Sequence, residues 1–181
     1  MSFGRAKSAK PPLDEAGLLD YAAKSLGSRM KSERDLRRLM AQRATPGEDG
    51  ARDIDAVMAK LKELGYLSDE RFAADYTRLR QENEKFGRRR VQQGLMQKGV
   101  ASATVNEAVG KAYDEVDETA LARAYVERKR MRKPENEKET ARAMRRLMAA
   151  GFSSKAIWAV LRGWGAKVEE TEIVSPEDEA V

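Results

Sequence analysis

The chain has 181 residues, 35 of them Lys or Arg and 30 Asp or Glu, and it contains neither cysteine nor histidine. That composition excludes disulfides, thiolate metal sites, cysteine nucleophiles and histidine acid–base chemistry. A mean hydropathy of −0.71 with no long uncharged apolar run argues against a membrane span, while 41% apolar residues are too many for a wholly disordered chain.

In chain order, residues 1–15 read as a disordered basic lead-in whose start lacks the apolar stretch of a signal peptide, so a cytoplasmic location is expected. No run of alternating β-branched residues follows, and short helical patterns dominate. Ala22 and Leu26 share one face of a first helix. Ser32-Glu33-Arg34-Asp35 is a capping-box-like start before Leu36. Thr45-Pro46-Gly47 stops that second helix, and Ile54, Val57 and Met58 form the stripe of a third, closed by Gly65. Ser68-Asp69-Glu70 opens a fourth, with Phe72 and Tyr76 on one face. Arg88 stands at the opening of a fifth, which ends at Gly99-Val100, and Ser102 caps a sixth bearing Val105, Ala108 and Val109. Leu121 and Tyr125 mark a seventh. Leu147 and Met148 mark an eighth that ends at Gly151-Phe152. Ser153 or Ser154 caps a ninth, with Ile157, Val160 and Leu161. Residues 166–181 read as a disordered acidic tail.

The nine patterns repeat in threes. Leu39-Met40 aligns with Leu95-Met96 and Leu147-Met148 at spacings of 56 and 52, and the third-helix stripes recur at 51 and 52. The expected fold is all-α: tandem three-helix repeats over 16–66, 67–113 and 114–165, stacked into an elongated, curved array.

Net charge is +5, unevenly placed. From Val168 onward there are six acids and no base, leaving 35 basic against 24 acidic side chains, a net +11, in residues 1–167. A basic body of this kind points to a nucleic-acid-associated partner. The densest cluster is Arg128-Lys129-Arg130-Met131-Arg132-Lys133, read as helical, with its side chains spread around the cylinder. Arg88-Arg89-Arg90 crowd the positive first turn of a helix, which calls for either an external anion or internal pairing with Glu82 or Glu84. Arg37-Arg38 and Arg145-Arg146 flank the repeated Leu-Met and face either acidic partner surface or solvent. Tyr66, Phe72, Tyr76, Tyr113 and Tyr125 are expected to pack between units; Trp158, off its stripe, is expected to make a contact between repeats, with a partly exposed partner anchor as the alternative.

The phrase Gly65-Tyr66-Leu67-Ser68-Asp69-Glu70-Arg71-Phe72-Ala73, continued by Arg80, Gly87-Arg88-Arg89-Arg90-Val91, Leu95 and Lys98-Gly99-Val100, resembles the signature of the RecX family of regulatory proteins. The resemblance runs from about Leu18 to Trp164. It implies a modular fold of three-helix repeats. It also implies binding to RecA and to the RecA–single-stranded-DNA filament, with suppression of filament growth, ATP hydrolysis and strand exchange in DNA repair, recombination and the SOS response. The alternative is a helical nucleic-acid-binding protein that acts on DNA directly. No P-loop and no dinucleotide fingerprint is present. Asp69/Glu70 and Asp114/Glu115 sit where helices are expected to begin and where acids belong. Neither an enzyme, a cofactor nor a metal is expected.

Overall fold

The structure, a computed structural model, describes residues 11–165; the readings of 1–10 and 166–181 lie outside the described residues. Nine α-helices occur among the described residues: α1 (Glu15–Ser28), α2 (Glu33–Ala41), α3 (Glu48–Glu63), α4 (Asp69–Glu82), α5 (Arg88–Gln97), α6 (Ser102–Tyr113), α7 (Glu118–Arg128), α8 (Glu137–Ala149) and α9 (Ser154–Gly163). The fold is all-α, built of successive three-helix groups. The chain divides into two compact units, one running to Phe72 and including Lys98–Val100, the other formed by the rest from Ala73 onward.

In the first unit α1, α2 and α3 pack on one another. Their apolar stripes bury Leu18, Ala22, Leu36, Met40, Ile54, Val57, Met58 and Leu61, and Leu67 joins them from the turn after α3. Asp14 caps α1 by accepting from the Gly17 N–H at 2.9 Å. The residues before α1 are not all loose lead-in, because the Leu13 N–H donates to the Arg43 carbonyl at 2.7 Å. Ser32 caps α2, accepting from the Asp35 N–H while its own hydroxyl donates to the Lys98 carbonyl at 2.7 Å.

In the second unit α7 and α8 pack on α9, and α5 on α6. A core of Ala122, Tyr125, Val126, Leu147, Phe152, Ile157, Trp158, Val160 and Leu161 lies among α7, α8 and α9. Trp158 is buried in this core, which leaves no partly exposed anchor there. Its neighbours Ile157 and Val160 flank it on a helix whose buried arc is wider than one stripe. The Tyr113 hydroxyl donates to the Phe86 carbonyl at 2.7 Å, and burial pushes its pKa up.

The helix ends follow the local signals closely. Gly65, Gly99 and Gly151 have φ of 70°, 79° and 90°, the left-handed C′ conformation. At Gly151 the pairing is a Schellman end, with Gly151 N–H donating to Met148 and Phe152 N–H to Leu147. Two expectations differ. Ala101, not Ser102, holds the N-cap position of α6, with no side-chain cap, and Asp114 caps the end of α6 rather than opening a helix. The repeat register of the second helices is also one residue off. Met40, Leu95 and Leu147 are the buried equivalents, each four residues after Leu36, Val91 and Ala143, whereas Leu39 is only half-buried and Met96 and Met148 are exposed. The Leu-Met dipeptide matches by letter, but the i, i+4 burial pattern decides equivalence.

Gly87 and Gly151 let two backbone segments of the second unit approach closely. The Gly87 N–H donates to the Ala150 carbonyl at 2.8 Å and the Arg89 N–H to the Gly151 carbonyl at 3.3 Å. The unsatisfied amides at the start of α5 thus meet the unsatisfied carbonyls at the end of α8.

Candidate anion-binding interface

The site is built where α7 stops. Arg130 N–H donates to Glu127 and Met131 N–H to Val126, a Schellman end with a non-glycine residue, Arg130, at φ 48°. Met131 folds back onto the core, and the chain runs on without helix through Arg132, Lys133 and Pro134. Asn136 then caps α8, accepting from the Glu139 N–H at 3.0 Å. On α8, Arg142 and Arg146 are one turn apart on one face, next to buried Ala143.

Between the 130–135 segment and α8 lies a cleft of about 510 Å³, into which Arg130, Arg132, Lys133, Arg142 and Arg146 all border. Only two acids line it, Glu135 and Glu139, and the Glu139 carboxylate already accepts from the Glu135 N–H at 3.0 Å. None of the five cations has an ion-pair partner among the described residues. Four guanidinium forks and one ammonium around one concavity suit phosphate or clustered carboxylates. Arg142 is the member that the sequence reading missed. Its spacing of four from Arg146 was the available signal.

The run from 128 to 133 is not a helical cluster. The helix ends at Arg128, because the left-handed turn at Arg130 reverses the chain. Lys129 is separated from its neighbours, ion-paired with Glu84 at 3.3 Å and lying near the rings of Phe86 and Tyr125 at 6.0 and 5.9 Å. Arg128 is exposed at the end of α7.

Arg88, Arg89 and Arg90 are exposed on the first turn of α5. The negative carbonyl end of α8 is seated against that turn and favours cations there, an arrangement that adds to the sequence-based accounts. Glu84 pairs with Lys129 and Glu82 with Arg78, and Arg90 lies over the Phe86 ring at 5.9 Å. In the first unit Arg37 pairs with Asp55 at 2.5 Å and Arg38 with Asp35 at 3.6 Å. Of the matching pair on α8, Arg146 borders the cleft and Arg145 is exposed outside it.

The signature phrase is mostly scaffold. Arg71 donates through its guanidinium to the Gly65 carbonyl, Leu67, Phe72 and Ala73 are buried, and Lys98 pairs with Asp35 at 2.7 Å. A side chain at Gly99 would strike Arg34 at 2.5 Å. Tyr66 is the exception: at 70% exposure, next to exposed Leu64, it packs against little.

Asp69 accepts from the Glu33 N–H at 2.9 Å. Burial nevertheless pushes its carboxyl above the ordinary 3.8, outweighing the lowering effect of that bond. The folded chain therefore holds this proton more tightly than the unfolded chain, and the stability it contributes below pH 3.8 is lost as pH rises through the raised value. Asn keeps the acceptor and removes the titration. The stability of wild type relative to Asp69→Asn should thus fall between pH 3.8 and neutrality in urea melts; a difference that grew with pH would contradict the burial account.

Arg130 gives a second test. A left-handed non-glycine residue costs about 1 kcal/mol, so Arg130→Gly should leave stability unchanged or raise it by up to about 1 kcal/mol while weakening anion binding. Lower stability together with unchanged binding would show that Arg130 serves the fold instead.

Among the described residues no group of three or more carboxylates is placed to hold a metal ion, and no helix is long and apolar enough to cross a membrane. The family model for RecX, second three-helix domain, matches residues 68–109. Regulatory protein RecX of Chromobacterium violaceum is 33% identical over 127 residues, 70% of this chain and 80% of that protein. Its namesake in Leptothrix cholodnii is 33% identical over 155 residues, 86% of this chain and 92% of that one. In Escherichia coli (strain SE11) the figure is 37% over 121 residues, 63% and 70%. Among solved structures, RecX from Lactobacillus salivarius superposes with a TM-score of 0.64 at 17% identity, over 84% of this chain and 97% of that one.

Proposed function

This chain belongs to the RecX family of regulatory proteins, and from that premise we propose that it binds RecA and the RecA–single-stranded-DNA filament in the cytoplasm and restrains ATP hydrolysis and strand exchange by binding alone. The observation that carries this reading is the cleft at the end of α7, where five cations converge against two acids. A filament offers such a surface two kinds of anion, the phosphates of its strand and the carboxylates of its protein. Each cation that displaces counterions from phosphate adds to affinity and makes it salt-dependent. The exposed arginines of α5 supply a second contact on the same unit, and several weak contacts on one body bind with avidity. Inhibition then comes from occupancy, either by blocking protomer addition or by holding protomers in a geometry that slows turnover.

The deciding experiment is ATP hydrolysis by RecA preassembled on single-stranded DNA, titrated with this protein, with co-sedimentation of the same filaments. Hydrolysis should fall at or below stoichiometric protein, and the protein should pellet with the filaments. Undiminished hydrolysis with binding to bare DNA would replace this reading with one in which the same cleft acts on DNA directly.

A further inference from the structure

The cleft's five cations lack an ion-pair partner among the described residues, and the chain carries a segment of opposite charge. We propose that the acidic segment 168–181 of this chain occupies the cleft as an intramolecular phosphate mimic, to be displaced by the anionic partner. This rests on the reading of the cleft as the anion-binding face.

Two observations support the assignment. The first is where the body of the chain ends. A Cβ built on Gly165, the last described residue, lies 3.8 Å from the Nζ of Lys133, a cleft residue. Gly165, three residues ahead of the acidic segment in the sequence, therefore lies beside the site. Glu169 follows four residues later, within roughly 14 Å of extended chain, so Glu169, Glu170 and Glu172 are within reach of Arg132 and Lys133.

The second is charge. Residues 168–181 hold six carboxylates and no base, and the cleft holds five cations and two carboxylates. Basic groups close by in sequence or on the same unit are placed differently: Lys129 is paired with Glu84, and the first turn of α5, which bears Arg88, Arg89 and Arg90, meets the carbonyl end of α8. A tether this short gives an effective concentration on the order of millimolar, enough for weak carboxylate–guanidinium pairs to compete with a dilute ligand but not with a polyphosphate chain. The segment would then filter partners, rejecting isolated anions and yielding to a contiguous row of phosphates.

Carbodiimide coupling of the full-length protein, followed by peptide mass spectrometry, tests the contact without any variant. Lys133 should couple to Glu169, Glu170 or Glu172 well above the rate for exposed Lys138 and Lys155, and millimolar tripolyphosphate should suppress the coupling. Equal coupling at all three lysines overturns the proposal. Binding of a labelled twelve-nucleotide oligo(dT) then tests the consequence. A chain ending at residue 167 should bind roughly tenfold tighter than the full chain at low salt. In an Arg132→Glu/Arg142→Glu background that gain should shrink to about twofold, the remainder being long-range charge. An equal gain in both backgrounds overturns the proposal, because the tail would then act only through net charge. A shortened chain that binds neither oligo(dT) nor tripolyphosphate removes the cleft reading itself, whereas one that binds both as tightly as the full chain removes only the tail's role.

Discussion

Gly87→Ala should cost about 3 kcal/mol of stability and lower Tm by roughly 10 °C or more. A Cβ at Gly87 would lie 2.3 Å from the Gly151 carbonyl oxygen and 2.5 Å from its carbon. Both are backbone atoms, so no side chain can turn aside, and the start of α5 must move off the end of α8. That movement breaks the bonds from Gly87 to Ala150 and from Arg89 to Gly151. Gly151→Ala should be at least as damaging, because its Cβ would meet the Arg90 nitrogen at 2.2 Å and its φ is 90°. Gly110 is the control. It lies within α6 with nothing within 4 Å of its Cβ position, so Gly110→Ala should stabilise by about 0.5–1 kcal/mol. Thermal and urea melts of the three variants read the result. A Gly87→Ala protein as stable as wild type would show that the joint is loose in solution.

The second large effect is on binding. Arg132→Glu, Arg142→Glu and Arg146→Glu combined should lower affinity for RecA–DNA filaments at least roughly a hundredfold at low salt, and reduce the slope of log affinity against log salt by about three. Melting should barely change, since all three side chains are exposed and lack ion-pair partners among the described residues. Arg145→Glu makes the same charge change on the same helix outside the cleft and should cost less than about threefold. Similar losses from Arg145→Glu and from any single cleft reversal would mean that the helix contributes diffuse charge rather than a site.

Gly87 is visible as a glycine ahead of three arginines, and Gly151 as a C′ glycine. Nothing local says that they touch across 64 positions. The arginines of α5 show the same gap. Their crowding at a positive helix end was legible, but its compensation by the end of α8 was not, because that helix end arrives from another part of the chain. Lys129 adjoins the basic run in sequence, yet its partner Glu84 is 45 residues away. The Ile157/Val160/Leu161 stripe leaves Trp158 outside it, yet α9 buries Ala156, Ile157, Trp158, Val160 and Leu161 together.

The amino-acid sequence by itself determined the helix class, most of the helix ends, the grouping in threes and the excess of positive charge. Those follow from interactions reaching no more than about four residues along the chain, such as the caps at Ser32 and Asn136, the left-handed glycines and the i, i+4 stripes. Only the tertiary structure decided which cations remain available. A charge is committed or left open according to what distant segments bring to it. Packing turned Lys129 inward to Glu84, and it gathered Arg130, Arg132, Lys133, Arg142 and Arg146 around one cleft.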